Sequence, residues 1–211
     1  MMLADLGADV IKVESPDGDP YRNYQGDHYS PHFQAYNRNK RSIALDLKDS
    51  RERALFDSLV GEADVFIQNF RPGTAARLGA GSDRLQSLNP GLIYTSISGF
   101  GSSGPYAERP SYDSVAQALS GFLSVVVDSS RPRFLGPALA DAITGIYASY
   151  GVLGALVQRG RTGQGALILL TGTPAGVGPV AAGDVLEAKC ALTPALQVQY
   201  LGLQTRSAKP N

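Results

Sequence analysis

The residue best suited to covalent chemistry is Asp141, in the stretch Gly136-Pro137-Ala138-Leu139-Ala140-Asp141. It stands where a long apolar helix should begin. That helix runs on to a basic, glycine-broken end at Arg159, Gly160, Arg161 and Gly163. A carboxylate in a first helical turn is stabilised by free N–H groups and by the helix dipole, by roughly 0.3–1 kcal/mol when exposed. Such a group is ionised and oriented, which suits a nucleophile, and an Asp with an ordinary pKa of about 3.9 needs no general base at neutral pH. The plainer role for an Asp at this place is to cap the helix.

Other constellations promise less. Gly99-Phe100-Gly101-Ser102-Ser103-Gly104 fits G-x-G-x-x-G after an expected strand. A dinucleotide site needs a helix to open at once, however, and Pro105 and Pro110 hold the chain in a loop until about Ser111. His28 and His32 lie four apart, but Pro31 and polar neighbours speak against a helix aiming both at one metal, so they read as solvated loop histidines. Asn37-Arg38-Asn39-Lys40-Arg41 is either a solvated turn or a phosphate clamp. There is no G-x-x-x-x-G-K-[ST] loop and no G-x-S-x-G elbow. Cys190 is alone, which leaves no disulfide framework or cysteine metal cluster.

The elements that must position these residues alternate. Met1–Leu6 reads as helix ended by Gly7, and 9–14 as a buried strand. Residues 16–41 read as a long polar loop with at most a short helical piece. A strand is expected at 42–47, and a helix capped by Ser50 through about Ala63, with Leu55, Leu59 and Val60 on one face. Strands at 64–69 and 92–98 flank short helices ending near Leu78 and spanning 82–88. Helices at about 112–124 and 138–159 follow, then a strand and a glycine–proline turn after Gly165, and from Lys189 a tail without a clear period. This order implies an α/β fold: a Rossmann-like parallel sheet with flanking helices, incomplete, with an irregular C-terminal segment.

Composition sets the outer bounds. In 211 residues, 43% hydrophobic and 18% charged describe a globular chain. Nineteen basic and nineteen acidic residues cancel, so nothing calls for nucleic acid or an anionic membrane. No uninterrupted apolar run approaches the ~20 residues that span a bilayer. The start, MMLADLGADVIKVE, lacks the regions of a secretory signal. A cytoplasmic enzyme is the expectation.

Six segments, LADLGADVIKVE, NRNKRSIALDL, NFRPGTAARLG, SISGFGSSGPY, RPSYDSVAQALSG and LADAITGIYASYGVLGALVQRGRTGQG, stand in an order and spacing that resemble the family III CoA-transferases, the CaiB/BaiF family. The resemblance covers about residues 1–165. It implies that Asp141 is the carboxylate nucleophile. Leu45, Asp46, Leu47 and Lys48, with Asn69, Phe70 and Arg71, match segments that line the coenzyme A site. Arg77 matches a basic contact, and Tyr112 lies beside the active site. The implied reaction moves CoA from an acyl-CoA to a carboxylic acid through an aspartyl–acyl anhydride and an aspartyl–CoA thioester. Acyl-CoA is then a substrate, with no permanently bound cofactor and no metal. A homodimer is implied where the fold is complete.

The family's α-methylacyl-CoA racemases are the alternative. In that branch a Gly-His-Asp segment supplies a histidine, where this chain has Pro110-Ser111-Tyr112-Asp113, which points to transfer. The family's first strand and its second half are expected to lie outside 1–165. Residues 166–188 instead resemble a short fumarylacetoacetate hydrolase segment, with LTGTPAGVG at Leu170–Gly178 and Gly183-Asp184, and carry no hydrolase activity over. The economical expectation is a truncated chain joined to an unrelated fragment, and the competing class is a remnant that binds CoA weakly or not at all.

Overall fold

The computed structural model describes residues 1–24, 30–128, 130, 131, 133, 136–171, 185–190 and 193–199. His28 lies outside them, as do 172–184, which hold most of the hydrolase-like segment. The chain divides into a unit of Met1–Ala175 and a second of Gly176–Asn211.

The first unit opens with α1 (Met2–Asp5), stopped by Gly7 at φ 99°, then β1 (Val10–Glu14). The polar stretch expected to be mostly loop holds a 3-10 turn at Pro20–Asn23 and a helix, α2 (Pro31–Asn37). Pro31, read as a breaker, is the first residue of α2, where a missing N–H and a fixed φ suit a helix start. Ser30 Oγ caps it by accepting from Phe33 N–H at 3.2 Å. His32 therefore sits on a helix, its ring edge-on to Tyr24 at 5.5 Å, and is no loop histidine.

Strand β2 is Lys40–Ala44, two residues earlier than expected, and pairs in parallel with β1 from Val10↔Lys40 to Glu14↔Ala44. Most of the basic cluster ahead of it is occupied. Arg38 and Asn39 donate to Asp5 at 2.6 and 2.9 Å, and Arg41 donates twice to Asp9. Those contacts tie α1 to the turn before β2, and β2 to the turn before β1, and favour a structural turn over a phosphate clamp. Glu14, buried at the end of β1, gathers Arg22 at 2.7 Å, Ser42 at 2.6 Å and the Asp19 N–H at 2.8 Å. The Arg22 bonds lead in holding its carboxyl down to about 2.

Helix α3 (Ser50–Glu62) is capped by Asp49, whose carboxylate accepts from Arg51 and Glu52 N–H at 2.8 and 3.3 Å, so Ser50 is its first residue and not its cap. Its buried face is Phe56 and Val60, four apart, while Leu55, expected inside, is 57% exposed. One residue is about 100° of helix, enough to turn Leu55 off the core face set by Phe56. Phe56 and Val60 pack on Leu45, Ala80, Leu85, Leu92 and Tyr94.

Strand β3 (Val65–Gln68) leads through α4 (Thr74–Arg77) and α5 (Ser82–Leu88) to β4 (Ile93–Ser98). The helix expected at 112–124 breaks at Gly121, φ 77°, into α6 (Asp113–Leu119) and α7 (Phe122–Val126). Then α8 (Leu139–Thr162) runs three residues beyond the expected end, to a Gly163 C-cap at φ 71°. β5 (Ala166–Thr171) pairs in parallel with β4 along its whole length, and the sheet order is β3-β4-β5. By length and composition α8 could cross a membrane. It buries Ala148, Val152 and Ala155, packs along β4 and β5, and ion-pairs Arg159 with Asp64 at 2.6 Å.

In the second unit, β6 (Val185–Cys190) and β7 (Thr193–Gln199) form an antiparallel pair with a bulge at Ala188/Cys190. The stretch read as a tail from Lys189 thus contains a strand.

Candidate active site

Parallel strands bring the loops that follow them to one edge, and in open α/β sheets ligands bind at that C-terminal edge. Asn69-Phe70-Arg71 leaves β3 there, and the Gly99–Tyr112 loop leaves β4 there. The far end of α8 is fixed at the opposite edge. Gly165 N–H donates to Pro90 O at 3.0 Å, and Arg159 reaches Gly91 O at 3.1 Å, just before β4. The start of α8, with Asp141, therefore faces the edge where the loops gather.

A cleft of about 430 Å³ opens at this edge. Of the expected contacts it brings together Phe70, Arg71 and Arg77. Gly73, at φ 76°, turns the chain so that α4 starts beside Arg71 and carries Arg77 back over the cleft. Thr74 Oγ1 accepts from Arg77 at 2.8 Å. Two guanidinium groups on one wall suit phosphate oxygens, to which Arg donates in pairs. Asn69 is exposed between β3 and Phe70, whose N–H is held by Gln68 Oε1 at 2.7 Å.

The cleft also takes in residues the sequence reading passed over. Gln68, Ser96, Ser98, Ser102 and Glu108 line it, and Gln68 Nε2 donates to Ser96 Oγ at 2.7 Å. Ser96 and Ser98 are two apart on β4, hence on one face of the sheet. That alternation in LIYTSIS is the signal that could have found them.

The Leu45–Lys48 segment is not part of this wall. Leu45 is buried in the core, so only its backbone could meet a ligand. Asp46 Oδ1 accepts from Lys48 N–H at 2.9 Å, and Leu47 O accepts from Arg53 at 2.6 Å, which makes the segment a tight turn. Lys48 alone extends into solvent. Tyr112 is 73% exposed and lies outside the cleft, at the residue before α6.

Asp141 is the third residue of α8 and does not cap it; Ala138 holds the cap position and makes no side-chain bond. Its N–H donates to Asp113 Oδ1 at 3.1 Å. Asp141 keeps an exposed surface, yet the atoms packed around its carboxyl push its pKa above the ordinary 3.8, and the charge of Asp113 adds to the rise. The sequence expectation of an unperturbed carboxylate is corrected in direction: the group is more basic. The glycine loop reaches toward Asp113 through a close approach. A Cβ placed on Gly99 would lie 2.1 Å from Ser111 Cβ, so only glycine lets β4 end against the start of α6. No cluster of three metal-ligating side chains occurs among the described residues.

A family model for CoA-transferase family III matches residues 1–192. The chain is 44% identical over 173 residues to the acetyl-CoA:oxalate CoA-transferase of Acetobacter aceti, covering 79% of this chain and 44% of that relative. It is 44% identical over 175 residues to the succinate–glutarate CoA-transferase of Agrobacterium fabrum, covering 78% and 44%. A solved CaiB/BaiF family protein from Brucella suis superposes with a TM-score of 0.74 at 44% identity, over 79% of this chain and 46% of that one. The chain thus spans less than half the length of these relatives. With its fold, its C-terminal-edge cleft and this match across most of its length, the chain belongs to CoA-transferase family III.

Proposed function

We propose that this chain carries the nucleophile-bearing part of a CoA-transferase, moving CoA between an acyl-CoA thioester and a carboxylic acid, with Asp141 as the nucleophile. What supports this reading is a more basic carboxylate in the first turn of α8, at the end of that helix away from its Gly165–Pro90 anchor, together with the Arg71 and Arg77 cleft, which Asp141 itself does not line. The carboxylate oxygen attacks the thioester carbon, the C–S bond breaks, and CoA leaves as thiolate with an aspartyl–acyl anhydride behind it. The thiolate then attacks the Asp141 carbonyl, releasing the first acid and leaving an aspartyl–CoA thioester. The acceptor carboxylate attacks that thioester, the C–S bond breaks to expel CoA thiolate and leave a second aspartyl–acyl anhydride, and the thiolate attacks the acceptor's acyl carbon to give the new acyl-CoA and free the Asp141 carboxylate. A raised pKa strengthens the ionised carboxylate as a nucleophile. Each attack develops an oxyanion, for which free N–H groups near the helix start or in the glycine loop are suitable donors.

Arg71 and Arg77 bind the phosphates of CoA in this reading, with Phe70, Asn69 and the Leu45–Lys48 turn along the same ligand and Tyr112 beside the reacting centre. Residues 1–165 form the transferase part of the chain, and the setting is cytoplasmic. The outward face of α8 carries Ile143, Ile146, Tyr147, Tyr150, Leu153 and Val157 in an exposed stripe at helical spacing. A stripe of this kind fits burial in a homodimer.

A second reading, a chain that binds acyl-CoA without turnover, rests on Asp141 standing outside the residues that line the cleft. Incubation with labelled acyl-CoA and trapping by hydroxylamine or borohydride separates the two. Transfer chemistry requires a covalent mark on Asp141 that disappears in Asp141→Asn; binding with no mark leaves the second reading standing.

A further inference from the structure

Two polar side chains stand behind the first turn of α8, and neither lines the cleft. Asp113 opens α6, and its Oδ1 accepts the Asp141 N–H at 3.1 Å. Its other carboxylate oxygen accepts from Gln117 Nε2, one turn further along α6. Gln117 is 2% exposed, so a whole amide has been taken out of water where α6 meets α8. Its Nε2 also lies 3.4 Å from the Pro137 carbonyl, in the residues leading into α8. Its Oε1 meets no donor among the described residues.

A buried acceptor without a donor is costly, and an apolar side chain of similar volume would fill the place without that cost. What the glutamine adds is its donor end, held on Asp113 and aimed at Pro137. Helix α8 needs that help. The N–H groups of a first turn have no partners within the helix, and Ala138 at the cap position has no side chain to accept them. The cap comes instead from another helix, 28 residues away.

We infer that Asp113, gripped by Gln117, is a positioning residue: it fixes the first turn of α8, and with it the Asp141 carboxyl, for attack on the thioester. The inference rests on the transferase reading of Asp141. The same contact sets one carboxylate beside another, which is the charge that helps to raise the basicity of Asp141.

Asn at position 113 separates geometry from charge. Its Oδ1 can still accept the Asp141 N–H, and its Nδ2 can donate to Gln117 Oε1 once the Gln117 amide turns over, giving up the 3.4 Å approach of Nε2 to Pro137 O. The test measures two things in the full chain: single-turnover adduct formation on Asp141 at saturating acyl-CoA, and amide hydrogen exchange across residues 139–142. Asp113→Ala should slow adduct formation about 100-fold, since a shift near 1 Å in a reacting group suffices for that, with acyl-CoA affinity held within about twofold. It should also speed exchange in the first turn. Asp113→Asn should restore the protection and bring the rate to within about tenfold of the parent, the remainder being lost basicity.

Unchanged exchange and rate in Asp113→Ala would overturn the inference, as would an Asn variant as slow and as unprotected as the Ala variant. Should Asp113→Ala not fold, Gln117→Leu supplies the same comparison: faster first-turn exchange and slower adduct formation support the inference, and parental values in both refute it. A parent chain that forms no adduct counts against the transferase reading, and the exchange comparison still decides the positioning role.

Discussion

Replacing Gly165 by alanine tests whether the sheet continues through β5. Gly165 is the last residue before that strand, and its backbone passes against the turn that leads into β4. A Cβ there would meet Leu92 O at 2.3 Å, Pro90 O at 2.8 Å and Gly91 C at 2.9 Å. All three are backbone atoms, so no side chain can swing aside, and ordinary contact requires a backbone shift of about 1 Å. The shift falls where Gly165 N–H donates to Pro90 O and where β4 and β5 enter register at Ile93↔Ala166. Overpacking of this kind costs about 1–3 kcal/mol and a weakened hydrogen bond about 0.5–1.5 kcal/mol, so about 2–4 kcal/mol is expected together. With a urea dependence of about 2 kcal/mol/M, the unfolding midpoint falls by roughly 1–2 M. Gly154→Ala is the control: its Cβ meets nothing within 4 Å on an exposed part of α8, and the substitution should raise stability by about 0.5–1 kcal/mol. An unchanged midpoint in Gly165→Ala beside a stabilised Gly154→Ala would mean that β5 does not enter the sheet at this point.

Three further outcomes follow from the site and the core. Asp141→Asn should abolish covalent labelling by acyl-CoA while leaving the thermal midpoint within about 2–4 °C, because the side chain caps nothing. Arg71→Ala and Arg77→Ala should each weaken acyl-CoA binding by about tenfold in calorimetry, less at high salt, since exposed guanidinium–phosphate pairs are screened. Glu14 has a carboxyl depressed from 4.5 to about 2, so its contribution to stability is complete above 4.5 and disappears as pH falls toward about 2. Glu14→Gln should therefore be less stable at neutral pH and show a flatter urea midpoint across that window; a parallel pH profile in both proteins would contradict the Arg22–Glu14 account.

Local patterns carried much of the fold into view. Apolar runs with turn residues between them mark β3, β4, α5 and the core of α8 to within a few residues, because strand and helix periods are properties of neighbouring residues. Errors arose where one local signal has two meanings. Pro31 can break a helix or begin one, and Ser30 behind it settles the matter. Asp49 and Ser50 are both good caps, and in the fold it is Asp49 whose carboxylate accepts the first-turn N–H groups.

By itself the sequence determined the order of elements, the start of a long helix just before Asp141 and the order of motifs that matches the family. Tertiary structure decided the rest. It placed Arg71 and Arg77 on one wall while withdrawing Leu45 into the core. It set β5 against β4, joining residues more than seventy positions apart. It also gave Asp141 a partner that no spacing announces. The contact between Asp113 and the Asp141 N–H spans 28 residues and depends on how α6 packs on α8, and the same packing raises the basicity of the Asp141 carboxylate. Periodicity reports which face of an element is apolar; which two faces meet is fixed only when the whole core closes.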